Sequence, residues 1–178
     1  MEDIDSGNYS AVGLCNARHP LGINSVAEHS VLNMQALCEA LSRLNYRRPA
    51  LMISEMSDLE RQGILSSTFL RFQQKFFPDN PIPVPVSLEQ IEGRAESLEW
   101  VKKWRPDVVI GHSHEMYDRF REAGFRIPED SGYVHVHLGP DTPGWAGINP
   151  KQSSLGAAAA EAVIALIHRN ETGPPHHS

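Results

Sequence analysis

Two histidine pairs share one spacing, His112-Ser113-His114 and His135-Val136-His137. An imidazole serves as base, hydrogen-bond partner or metal ligand near neutral pH, and three or four gathered at neighbouring strand ends would suit zinc or nickel. The spacing also limits that idea. Residues two apart on a strand share a face, so His135 and His137 point one way and Val134 and Val136 the other. No carboxylate stands at ligand spacing beside them apart from Glu115. The preferred reading has His112, Ser113 and His137 lining a small-ligand cleft. A structural alternative packs His135 under a helix as a hydrogen-bonded core residue. A metal site built from His112, His114, His135 and His137 ranks third, and no metal or cofactor is expected.

Other residues carry weaker signals. Arg61, beside Glu60 at a helix start, could reach a ligand or form a solvated pair. Trp145 could stack on a flat ring or simply bury a loop. Arg47-Arg48 could touch a phosphate, although an Arg pair favourable to a helix dipole is the commoner reason. Ser66-Ser67 lacks the G-x-S-x-G elbow, and no G-x-G-x-x-G or Walker loop occurs, so neither a hydrolase nor a nucleotide site is expected.

The elements that must hold these residues alternate between strand and helix. Val108-Val109-Ile110 reads as a strand buried on both faces, ending in Gly111 and the first histidine pair. Glu115 to Ala123 is a helix stopped by Gly124 and Pro128, and Tyr133 to Leu138 is the next strand. Upstream, Tyr9 to Cys15 forms a short strand. A helix from about Val26 to Leu44 shows an apolar stripe at Val31, Met34, Leu37, Cys38, Leu41 and Leu44. Ala50 to Ile53 is a buried strand. Ser57 caps a helix running to Phe76, and Pro81 to Val86 is at best an edge strand. Ser87 opens a capping-box helix, with Gln90 at its third position, that buries Leu88, Ile91, Leu98 and Val101. Trp145 to Ile148 is extended, and Leu155 to Arg169 is a helix apolar nearly all round. The fold class is α/β, a doubly wound, mostly parallel sheet with helices on both faces. In such a sheet ligands sit outside the carboxyl ends of the strands, where His112, Ser113 and His137 fall.

The 178 residues suffice for a real core, and the net charge of -6 without a basic block argues against direct nucleic-acid binding. No apolar run approaches the roughly 18 residues that span a bilayer. The acidic start, Met1 to Asp5, is unlike a signal peptide. Cys15 and Cys38 read as buried thiols in a reducing compartment, so a cytoplasmic location without membrane attachment is expected.

The order of these pieces resembles the effector-binding core of the lactose-repressor (LacI/GalR) family of bacterial transcription regulators. The resemblance rests on Leu41-Ser-Arg-Leu-Asn-Tyr-Arg-Arg-Pro49 after a helix, on Asp58 to Phe69, and on Arg105-Pro-Asp-Val-Val-Ile-Gly111. It rests also on the Gly124-Phe-Arg-Ile-Pro-Glu-Asp130 corner, and on Ala146-Gly-Ile-Asn149 followed by Leu155-Gly-Ala-Ala-Ala159. It covers residues 9 to 174. It implies a periplasmic-binding-protein type I fold, no enzyme activity and a sugar or polyol effector. It also implies a homodimer whose DNA contacts are made by a helix-turn-helix headpiece absent from this chain. By the same resemblance, residues 1–24 are a tail and crossing strand of a first lobe and 25–140 form the second lobe. Residues 141–174 then cross back to a helix of the first lobe, and 175–178 are a disordered tail. Where the family carries Asn-Asp after the strand, this chain has His112-Ser113. Where it carries an Asp on the next strand end, this chain has His137, or Leu138 under a one-residue shift. The family's effector-binding Arg falls near Leu65, with Arg61 one turn earlier. A solute-binding protein of the same fold, or a small His-x-His metal enzyme, is the alternative.

Overall fold

The computed structural model describes residues 6–14, 22–59, 61–84, 95–139, 142 and 144–174. In chain order the elements are β1 (Val12–Leu14), β2 (Asn24–Val26), α1 (Ser30–Arg43), β3 (Pro49–Met52), α2 (Glu55–Leu59), α3 (Ile64–Phe76), α4 (Ala95–Trp104), β4 (Val108–Gly111), α5 (His114–Glu122), β5 (Gly132–His135) and α6 (Gln152–His168). They fall into two compact units, one of residues 30–149 and the other of residues up to 29 together with those from 150. Trp145–Ile148, expected in a crossing segment, thus groups with the larger unit.

In the larger unit, β3, β4 and β5 pair in parallel in that order, with Pro49 opposite Val108 and Val108 opposite Gly132. Every residue of the three strands is buried, as a parallel sheet covered on both faces requires. The Asp107 carboxylate accepts the backbone N–H groups of Arg47 (2.5 Å) and Arg48 (2.9 Å), tying the starts of β3 and β4 together. A short segment continues the sheet beyond β5. His135 N–H donates to the Ala146 carbonyl (2.9 Å) and Ile148 N–H to the His135 carbonyl (3.0 Å). Gly147 is obligatory in that pairing, because a Cβ there would overlap the His135 carbonyl.

The apolar stripe of α1 buries Met34, Leu37, Cys38 and Leu41 against α3, which contributes Leu65, Phe69 and Phe72. Asn45 ends α1 in the left-handed conformation (φ 65°), and Tyr46 N–H returns to the Leu41 carbonyl at 3.1 Å. Burial pushes the Cys38 thiol up to about 12.

Several expectations are corrected. The chain does not enter a helix at Val26. Asn24–Val26 is instead a strand paired in parallel with Val12–Leu14, and α1 starts at Ser30. The helix expected from Ser57 to Phe76 is two helices, because Gln62 (φ 56°) and Gly63 (φ 70°) are both left-handed, which no α-helix accommodates. Ser54, not Ser57, caps α2 by accepting from Ser57 N–H at 3.0 Å, while Asp58 accepts from Ser66 N–H at 3.2 Å in the first turn of α3. Strand β5 ends at His135 rather than Leu138. Residues 81–84 form no strand. Buried Gln73 holds them instead, donating to the Ile82 carbonyl at 2.9 Å. The Ser87 capping box, Cys15 and the tail at 175–178 lie outside the described residues.

In the smaller unit, α6 packs on the β1–β2 pair, with Ala159 and Leu166 its buried residues. Ile164 (52% exposed) and Ile167 (55%) lie on its open side, consistent with a helix too apolar for its present cover. No helix among the described residues is long and apolar enough to cross a membrane.

Candidate functional site

The parallel register sets Met52 level with Gly111 and Gly111 level with His135, so the residues that follow these rungs emerge at one end of the sheet. Ser54, Ser57, Arg61, His112 and His137 are found there. A chain of hydrogen-bond contacts links three of them. Ser54 Oγ donates to Ser57 Oγ at 2.8 Å, and Ser57 Oγ lies 3.2 Å from His112 Nε2. A serine hydroxyl both donates and accepts, so Ser57 can partner His112 Nε2 in either tautomer of the ring. Burial, then the charge of Arg61, lowers the pKa of His112 from 6.5 and keeps the ring neutral. Arg61 itself donates from Nη1 to the Ser57 carbonyl at 2.9 Å, so these contacts and the guanidinium form one cluster.

His114 and His135 are packed among aromatic rings. His135 is 5% exposed, and its Nδ1 accepts the His137 N–H at 3.3 Å. Burial, followed by the neighbouring His114 and His112, lowers its pKa. His114 stacks face to face on Trp145, with centroids 4.4 Å apart and planes 15° apart, while His135 meets the same indole edge-on at 5.9 Å. Tyr117 and Tyr133 complete the cluster around Trp145 at 4.6 and 5.8 Å. One face of the indole expected to stack on a ligand is therefore taken by His114. Among the described residues no three His, Cys, Asp or Glu groups gather closely enough to hold a metal ion.

Ser113 is committed to structure. Its Oγ accepts from Met116 N–H and caps α5, and its carbonyl accepts the Tyr133 hydroxyl at 2.7 Å. Tyr133 reaches it by crossing Gly111, where a Cβ would overlap the phenol. Arg48 donates to the Trp104 carbonyl at 2.5 Å and closes the end of α4. Ser54 and Ser57 were not singled out as site residues from the sequence, because the register that lifts them to His112 is a long-range property. Their position just after a buried strand was the available signal. A Ser–His contact of this length is also how a nucleophile meets its base. Among the described residues, Asp58 accepts from Ser66 N–H and Glu115 pairs with Arg119 at 2.5 Å.

No protein-family model and no curated protein matches this sequence. Solved structures do match. A LacI family transcriptional regulator from Enterococcus faecalis V583 with bound ribose superposes with a TM-score of 0.66 at 15% identity, over 89% of this chain and 60% of its own. One from Lactobacillus casei with bound glucose gives 0.61 at 20% identity, over 89% and 64%. An uncharacterized protein from Actinobacillus succinogenes gives 0.68 at 21% identity, over 91% and 64%. The chain has the α/β, periplasmic-binding-protein-like fold of the effector-binding domains of LacI-type regulators, and amounts to a partial lobe of it. It spans 54–64% of the length of the regulators it matches.

Proposed function

We propose that this chain is the ligand-sensing part of a LacI-type bacterial transcription regulator that takes a sugar or polyol at the carboxyl ends of β3, β4 and β5. It works as a cytoplasmic homodimer and grips DNA through a helix-turn-helix headpiece outside these 178 residues. The observation that carries the reading is the cluster of Ser57, His112 and Arg61 at the sheet end where open α/β folds take ligands. A polyol needs a donor fork and neutral acceptors. The Arg61 guanidinium is such a fork, and the hydroxyls and neutral imidazole accept as well as donate. Two of the superposed regulators carry ribose and glucose, which makes these the first sugars to try. Ligand would bias an equilibrium between lobe arrangements rather than undergo reaction. His137 adds to the same end of the sheet, while Trp145 and Ser113 shape it from behind.

A thermal-shift panel of ribose, glucose, other polyols and divalent metals tests this. A sugar present at about a hundredfold above its Kd stabilises by roughly 2.7 kcal/mol, a rise of about 5–10 °C for a chain of this size. Arg61→Ala and His112→Ala are expected to abolish the rise. A rise with metals only, or a sugar response that survives both substitutions, contradicts the reading.

A further inference from the structure

At the opposite end of the sheet, where Pro106-Asp107 leads into β4 and Asp130-Ser131 into β5, lies a cavity of about 360 Å³. That is within the range of small-molecule sites. Its apolar part is Val101, Pro106 and Phe125. Its charged lining is Lys102, Arg105, Asp107 and Asp130, and three of those four charges are already engaged. Asp107 accepts the two N–H groups of Arg47 and Arg48. Asp130 takes the Arg126 guanidinium at 2.6 and 3.1 Å and its N–H at 2.9 Å. Lys102 pairs with Glu99 at 3.1 Å. The guanidinium of Arg105 forms no hydrogen bond or ion pair with any described residue.

The backbone gives a reason to ask why an arginine stands there. Arg105 follows the last residue of α4 and closes the helix with its N–H on the Val101 carbonyl at 2.7 Å, in the left-handed conformation at φ 46°. That is the position helices give to glycine, since a Cβ is strained in it. The side chain is not needed to cap the helix. Arg48 already donates to the Trp104 carbonyl at 2.5 Å and to the Arg105 carbonyl at 3.3 Å. The left-handed backbone thus sets an exposed, unengaged cation at the rim of a partly apolar cavity.

We propose that this cavity is a second ligand site, separate from the strand carboxyl ends, for a small organic carboxylate. The Arg105 fork takes the carboxylate, and the apolar body of the ligand rests on Val101, Pro106 and Phe125.

Heteronuclear NMR titration of the whole chain with benzoate, acetate and benzyl alcohol tests it. Benzoate is expected to give saturable shifts at Val101, Arg105, Phe125 and Ser131, and to bind more tightly than acetate, which lacks the apolar body, or benzyl alcohol, which lacks the charge. Arg105→Gly and Arg105→Asn, both tolerant of the left-handed backbone, should bind roughly tenfold more weakly or worse. Both should melt no lower than the parent, and the glycine variant higher. The proposal is overturned if benzoate gives no saturable shift at these residues, if its shifts map to His112 and Arg61, or if the variants bind it as well as the parent does.

Discussion

Replacing Gly111 by alanine probes how the sheet holds the candidate site in place. A Cβ at that position overlaps the Tyr133 hydroxyl and lies 2.8 Å from the phenol Cζ, and the ring is hemmed in by Tyr117, Phe120 and Trp145. Moving it forces an overpacked core, typically about 1–3 kcal/mol, and breaks the Tyr133–Ser113 bond, worth about 1 kcal/mol more. The expected loss is about 2–4 kcal/mol. Tyr133→Leu alone also destabilises, through lost packing and the lost hydrogen bond, but in that background Gly111→Ala should cost less than about 1 kcal/mol. The coupling of roughly 2 kcal/mol is the diagnostic quantity. Urea unfolding followed by tryptophan fluorescence reads it, since Trp100, Trp104 and Trp145 all lie in the unit of residues 30–149. Additive effects of the two substitutions, within about 0.5 kcal/mol, would refute the contact and the placement of Ser113 that depends on it.

Two further outcomes follow from buried groups. His112 and His135 have pKa values lowered from 6.5, so at mildly acid pH the unfolded chain binds more protons than the folded one, and their contribution is complete above 6.5 and lost as pH falls below it. Melting temperature should therefore drop on acidification from pH 7.5 through 6. The His112→Gln, His135→Gln double variant should show a flatter profile, and an unchanged slope would contradict the burial argument. Cys38, buried and raised to about 12, should not react with a thiol reagent in the folded protein. In a Cys15→Ser background, Ellman's reagent should give colour only after denaturant is added; prompt reaction under native conditions would show that α1 opens readily.

What the sequence disclosed and what it hid divide along local and long-range lines. The strands at Pro49–Met52 and Val108–Gly111 follow from uninterrupted apolar runs, and α1 from its three- and four-residue spacing. The corner after Gly124 was also legible, and Arg126 and Asp130 close it through three hydrogen bonds. Strand β2 was missed because Asn24-Ser25-Val26 has neither an apolar run nor alternation, and only its pairing with β1 makes it a strand. The break before α3 was written in Gly63 but masked by the apolar stripe on either side. At the site, His112 and Arg61 were named, but their partners Ser54 and Ser57 depend on which strand lies beside β4. The stacking of His114 on Trp145 joins residues from a helix and a distant loop, a contact that no local spacing encodes.

The carboxyl ends of β3 to β5 are proposed to bind a sugar through Ser57, Arg61, His112 and His137. Heteronuclear NMR titration of the chain with ribose and with glucose addresses it directly, because weak binding still registers and the shifts locate it. Saturable shifts are expected for at least one sugar at these four residues, lost in Arg61→Ala. Absence of saturable shifts with every sugar tried, or shifts confined to other parts of the chain, would contradict it.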